Sequence, residues 1–239
     1  MSAYRQSPFS NLTPVVKNLL IINIIFFIAT YVLSHTFDME KWLAVYYFNS
    51  PNFRLWQIIS YMFMHGGFMH IFFNMLALFM FGPILEYSVG PKRFLNLYFI
   101  CGIGAILIQW LVQAIQIHGI TGGFTISHPE LESSYIAYGP AAQKLFDIYN
   151  TPIVGASGSV VGLLMAFAML YPNMEIIMLY FPVPIKAKYI IPGYLLLELF
   201  LGIGQRGGDN VAHFAHLGGA LFGFLVVKFW RLNKPNNYF

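Results

Sequence analysis

The chain has 239 residues, of which 58% are hydrophobic, 18% aromatic and only 9% charged. A soluble domain carries about 25% charged residues to keep its surface wet, so this composition, with a mean hydropathy of +0.64, excludes a soluble globular protein, a disordered chain and a nucleic-acid-binding module. The net charge of +4 is too small to be the footprint of an acidic partner, and the single cysteine, Cys101, allows neither an intrachain disulfide nor a cysteine-based metal site.

A polytopic membrane protein remains. A membrane helix needs about 20 mostly apolar residues. Six stretches are predicted to span, at about Val16–Leu33, Met69–Tyr87, Phe94–Ile117, Ile153–Tyr171, Tyr189–Ile203 and Val211–Trp230. The fifth is the shortest. None shows the period-2 alternation of a barrel strand. The first follows Arg5 and Lys17 with no small-residue cleavage site after it, and is expected to be a retained helix rather than a signal peptide.

Two connecting segments are long. Ser34–Gln57 carries Trp42, Tyr46, Tyr47, Phe48, Phe53 and Trp56 and is expected to lie on the bilayer, because aromatic rings settle at headgroup depth. His118–Pro152 is a polar insertion, expected to hold a short helix near Ala141–Ile148 and to lie outside the chemistry. With the N-terminus in the cytoplasm, Arg5, Lys17, Lys92, Arg93, Lys186, Lys188, Lys228, Arg231 and Lys234 fall inside and Lys41, Arg54, Lys144 and Arg206 outside. The positive-inside rule therefore puts both termini in the cytoplasm. One domain over residues 1–239 is the simplest reading, with a core at about 55–227 and an external insertion at about 118–152.

Polar side chains inside membrane spans are costly and often functional. Three groups stand out. His65-Gly66-Gly67-Phe68-Met69-His70 leads into the second span, and Asn74 follows His70 by one turn, on the same helix face. Gly155-Ala156-Ser157-Gly158-Ser159 opens the fourth span, and His213-Phe214-Ala215-His216-Leu217-Gly218-Gly219 opens the sixth. All three sit at the outer ends of their helices and are predicted to converge on one water-accessible cavity. They supply a serine nucleophile, a histidine base and donors for an oxyanion. Ser157 at a helix start also gains from the helix dipole. No acidic residue neighbours any of the three groups in the chain, which predicts a Ser–His dyad rather than a triad. Glu198, in the fifth span, reads either as a polar element of a gate or water path, or as a carboxylic acid kept neutral by burial or lying near the outer interface.

Each element has a plainer reading. A Gly-x-Ser-Gly at a membrane helix start is common packing chemistry, and Gly219-x-x-x-Gly223 reads as tight helix contact. Residue 159 is Ser where the soluble-hydrolase elbow has Gly, and it is a second nucleophile to weigh.

Taken together and in this order, the motifs are highly specific. The chain resembles the rhomboid family of intramembrane serine proteases through His65-x4-His70-x3-Asn74, Gly155-Ala156-Ser157-Gly158, Ala215-His216-Leu217-Gly218-Gly219-x3-Gly223, and the turn Glu86 with Gly90-Pro91-Lys92-Arg93-Phe94. The resemblance implies an all-α membrane protein, a six-transmembrane-helix bundle with a recessed active site. It implies Ser157 as nucleophile and His216 as general base. His70, Asn74 and the Ser157 N–H would form the oxyanion hole, with Gly155 lining it and His65 structural. It implies transmembrane protein substrates entering sideways from the bilayer between the second and fifth spans, no cofactor and no metal. The expected location is a bacterial cell membrane. Some members carry an aromatic four residues after the serine, packed on the base; here that residue is Val161, which leaves the packing of His216 open. The rival readings are a catalytically inactive rhomboid-like scaffold that binds membrane clients, and a channel or metal transporter using His65, His70, His213 and His216.

Overall fold

A computed structural model describes residues 12–178, 181–204 and 212–232. Arg5, Arg206, Val211 and Lys234, which entered the span and charge readings, lie outside the described residues. The helices are α1 (Pro14–Leu33), α2 (Met39–Leu43), α3 (Gln57–Ser60), α4 (Phe68–Val89), α5 (Pro91–Thr121), α6 (Ser133–Ile136), α7 (Ala142–Asn150), α8 (Ser157–Leu170), α9 (Ala187–Gly204) and α10 (His213–Phe229).

A helix overlaps each of the six predicted stretches. Four of them, α1, α4, α5 and α9, are long and apolar enough to cross a membrane; α8 and α10 are shorter apolar helices of 14 and 17 residues. The fourth predicted stretch begins too early, because Ile153 does not continue the helix. It makes an antiparallel bridge to Val45, with N–H···O distances of 3.0 and 2.8 Å in the two directions. Gly155 then turns the chain at φ +128°, a conformation that only glycine adopts without strain.

α10 packs most extensively against α5 and α8. Small residues make this possible. A Cβ on Gly219 would lie 1.9 Å from the Gly158 carbonyl oxygen, and one on Gly223 would lie 2.2 Å from that of Gly162. The Gly-x-x-x-Gly stripe therefore brings the α8 and α10 backbones into direct contact, as its packing reading expects. α8 is buried along most of its length. The outward faces of α1 and α9 are apolar, with Ile25, Ile28 and Val32 on one and Leu196, Phe200 and Ile203 on the other exposed, as helices facing lipid require.

Glu86, near the end of α4, explains its place in the sequence motif. Its carboxylate accepts from Thr13 Oγ1 and from the backbone N–H groups of Val15 and Val16 at 3.0 and 2.8 Å. These are first-turn donors of α1 that no helix carbonyl can reach. The start of α1 and the end of α4 therefore share one end of the molecule.

The two long connections are more structured than the sequence suggests. In the first, Phe37, Trp42, Phe48 and Trp56 are exposed, and Trp42 stacks on Trp56 with ring centroids 6.3 Å apart. Val45 and Tyr47, however, are fully buried. Tyr47 joins Ile117, Ile126, Tyr135, Leu145, Ile148 and Tyr149 in a second, smaller core. Its hydroxyl donates to the Phe124 carbonyl at 2.8 Å, and Ser50 Oγ donates to the Tyr149 carbonyl at 2.6 Å. Burial pushes the Tyr149 phenol up to about 12, so it stays a neutral donor to Asn49 Oδ1 at 3.1 Å. The polar insertion is thus packed against the first loop rather than lying free on the surface. The expected short helix is α7.

Between α8 and α9 the chain forms an antiparallel hairpin of β1 (Glu175–Met178) and β2 (Phe181–Lys186), pairing Glu175 with Lys186. The sequence reading named no element there. Ile176, Ile177, Val183 and Ile185 favour extended backbone.

Candidate active site

Ser157 is the first residue of α8 and His216 lies in the first turn of α10. The glycine contacts between these two helices bring the side chains together: His216 Nε2 is 2.8 Å from Ser157 Oγ. The first backbone bond of α8 runs from the Val160 N–H to the Ala156 carbonyl. The N–H groups of Ser157, Gly158 and Ser159 therefore have no helix acceptor. Ser159 Oγ points elsewhere. The residue is 1% exposed, and its oxygen faces Gly102 of α5, 2.5 Å from where a Cβ there would sit.

His70 reaches the same place from α4. A Cβ on Gly155 would meet His70 Nε2 at 2.7 Å and Ser157 Oγ at 3.4 Å, so Gly155 leaves the space in which imidazole and serine adjoin. Its N–H donates to the Tyr61 carbonyl at 3.0 Å, and the Tyr61 hydroxyl to the Gly102 carbonyl at 2.6 Å, tying this turn to α5. His65 is buried and meets the His70 ring edge-on, with centroids 5.1 Å apart. Asn74 is buried, and its Nδ2 donates to the His70 carbonyl at 3.0 Å. One amide hydrogen is thereby spent on the helix backbone, leaving one for another acceptor.

The other side of His216 holds what the sequence reading missed. Glu198 Oε2, from α9, is 2.9 Å from His216 Nδ1 and 2.7 Å from His213 Nδ1. Tyr194, one turn before Glu198, places its hydroxyl 3.3 Å from His216 Nδ1 and its ring centroid 6.5 Å from the imidazole. The expectation that no acid stands beside the base is therefore corrected: adjacency in the chain missed a carboxylate carried in from another helix. The aromatic absent at Val161 is replaced by Tyr194 of α9. A signal existed in the i, i+4 spacing of Tyr194 and Glu198, which puts two polar groups on one face of an apolar helix. His213 and His216 share a face in the same way.

The family model for the Rhomboid domain matches residues 52–128 and 131–232. The chain belongs to the rhomboid family. It is 29% identical over 177 residues to Rhomboid protein 1, mitochondrial, of Saccharomyces cerevisiae, which covers 74% of this chain and 42% of that protein. It is 28% identical over 212 residues to RHOMBOID-like protein 12, mitochondrial, of Arabidopsis thaliana, covering 86% and 55%. With Rhomboid protease AarA of Providencia stuartii it shares 30% over 177 residues, covering 72% and 54%. The chain spans about half the length of these curated relatives. This rhomboid is a multi-pass integral membrane protein. Mitochondrial proteins stand among its relatives, so they give no support to the expected bacterial membrane.

Proposed function

We propose that this rhomboid is an intramembrane serine endopeptidase that hydrolyses peptide bonds in or near transmembrane segments of other membrane proteins. The observation that carries the reading is the 2.8 Å contact between Ser157 Oγ and His216 Nε2 at the adjoining starts of two buried helices. His216 takes the Ser157 proton as Oγ bonds to the scissile carbonyl carbon. The carbonyl oxygen becomes an oxyanion, held by the Ser157 N–H, His70 and Asn74. When the intermediate collapses, the C–N bond breaks and His216 gives its proton to the leaving amine. Water, deprotonated by the same imidazole, then releases the acyl group. Substrate helices hide their carbonyls in hydrogen bonds, so the bond to be cut must first unwind. The bilayer supplies substrates laterally.

The chain is read as one six-span domain with both termini in the cytoplasm. α8, at 14 residues, is about 21 Å long against a hydrocarbon core of about 30 Å. With its far end at the inner surface, its Ser157 end is recessed below the outer one. A cysteine replacing Ser133 is expected to react with an impermeant thiol reagent from outside and one replacing Lys92 only from inside, in a Cys101→Ala background. The opposite pattern inverts the orientation.

An inactive client-binding scaffold is disfavoured by the retained, hydrogen-bonded serine and histidine. The direct test is cleavage of a panel of single-span proteins by the purified chain beside Ser157→Ala. The Asn74 amide matters only as the carbonyl oxygen gains charge. Removing one such donor costs about 10²–10³ in turnover. Asn74→Ala is therefore expected to lower kcat by that factor at unchanged KM. A raised KM at unchanged kcat would place Asn74 on the ground-state substrate instead.

A further inference from the structure

We propose that Glu198 is the positioning residue for His216, fixing the tautomer and ring orientation that the base needs; this rests on the protease reading above. The Glu198 side chain is 7% exposed, and those of His213 and His216 are 9% and 12% exposed. A carboxylate this far from water persists only when donors surround it. Three are in place: the Nδ1 atoms of His213 and His216 at 2.7 and 2.9 Å, and the hydroxyl of Tyr194.

The arrangement dictates where the protons sit. An imidazole nitrogen facing a carboxylate oxygen carries the hydrogen, so His216 donates from Nδ1 and its Nε2 holds the lone pair. That lone pair faces Ser157 Oγ. In the other tautomer Nε2–H would meet the serine hydroxyl, and no proton could be taken. As His216 accepts the serine proton, Glu198 also stabilises the imidazolium without itself being protonated. Among the described residues, the groups within hydrogen-bond reach of His216 are Ser157 of α8 and Tyr194 and Glu198 of α9; His70 of α4 lies close enough to sense its charge, and His213 of α10 shares the Glu198 carboxylate. Glu198 is the acid among them. His213 binds the same carboxylate oxygen and fixes it in place. A gate or water-path role for Glu198 would act on substrate entry instead, and the two can be separated.

The test uses the purified full chain and two measurements: the rate at which a small fluorophosphonate labels Ser157, and kcat and KM on a single-span reporter. Substituting the orienting acid of a serine hydrolase costs about 10⁴ in kcat. Glu198→Ala is expected to slow labelling and kcat together by about 10²–10⁴, with KM within about twofold. Glu198→Gln keeps the shape of the side chain, serves if the alanine variant fails to fold, and is expected to slow both rates as well. In a His216→Ala background, Glu198→Ala should add nothing, because its effect passes through the base. Labelling at the wild-type rate in both Glu198 variants, a loss confined to KM, or a further loss in the His216→Ala background would each overturn the proposal. A ¹⁵N-histidine spectrum reads the tautomer without any turnover. Nδ1–H at His216 in the wild type, lost in Glu198→Ala, supports the assignment, and the same tautomer in both refutes it. If the wild type neither cleaves nor labels, the protease reading has failed, and this spectrum still decides the positioning.

Discussion

Ser157→Ala and His216→Ala are each expected to lower kcat by about 10⁴–10⁶, and the double variant by little more. The reason is that in the proposed mechanism the two groups act as one device. Without the imidazole the serine hydroxyl is a poor nucleophile at neutral pH; without the serine oxygen the imidazole has no proton to take. What survives is the stabilisation from oxyanion donors and substrate binding, which does not depend on either side chain. Both variants should remain folded. Ser157 and His216 are half-buried at helix starts, and the glycines that join α8 to α10 are left unchanged in both variants. Cleavage of a reporter in proteoliposomes and a thermal unfolding curve in detergent measure the two halves of the claim. Full activity in Ser157→Ala with an inactive Ser159→Ala would move the nucleophile two residues along, against the direction in which Ser159 Oγ points.

Gly219→Ala is expected to cost both stability and activity, although it adds only one methyl group and alters neither Ser157 nor His216. The new Cβ would stand 1.9 Å from the Gly158 carbonyl oxygen and 2.8 Å from its carbon. Backbone atoms cannot rotate away as a flexible side chain can, so α8 and α10 must separate. Overpacking of this kind costs about 1–3 kcal/mol, sometimes more. Separation also stretches the hydrogen bond between Ser157 and His216, because one residue rides on each helix. A misplacement of about 1 Å can cost about 10²-fold in rate. Gly119→Ala is the control, since a Cβ there meets nothing within 4 Å. A lowered melting temperature and a lowered kcat in Gly219→Ala, with neither in Gly119→Ala, is the expected result. A fully stable, fully active Gly219→Ala would show slack between the two helices.

Composition and hydrophobic run length by themselves determined that this is a helical membrane protein, because too few charges exist to cover a water-facing surface. Motif order determined the family and the identity of Ser157, His216, His70, Asn74 and Gly155 as candidates. Those signals are local: each needs only a residue type at a fixed spacing along one helix, and the glycine stripe at 219 and 223 was legible for the same reason. The start of α8 was not. It depends on Ile153 pairing with Val45, more than a hundred residues earlier in the chain. The second core around Tyr149 was hidden likewise, because apart from Ile117 of α5 its members come from two loops that each read as polar or interfacial on their own. The meeting of Glu198 with His216 was decided by tertiary structure alone. Lateral neighbours in a helix bundle are set by which faces pack, and a carboxylate on α9 comes within 2.9 Å of an imidazole on α10 only once both helices are docked.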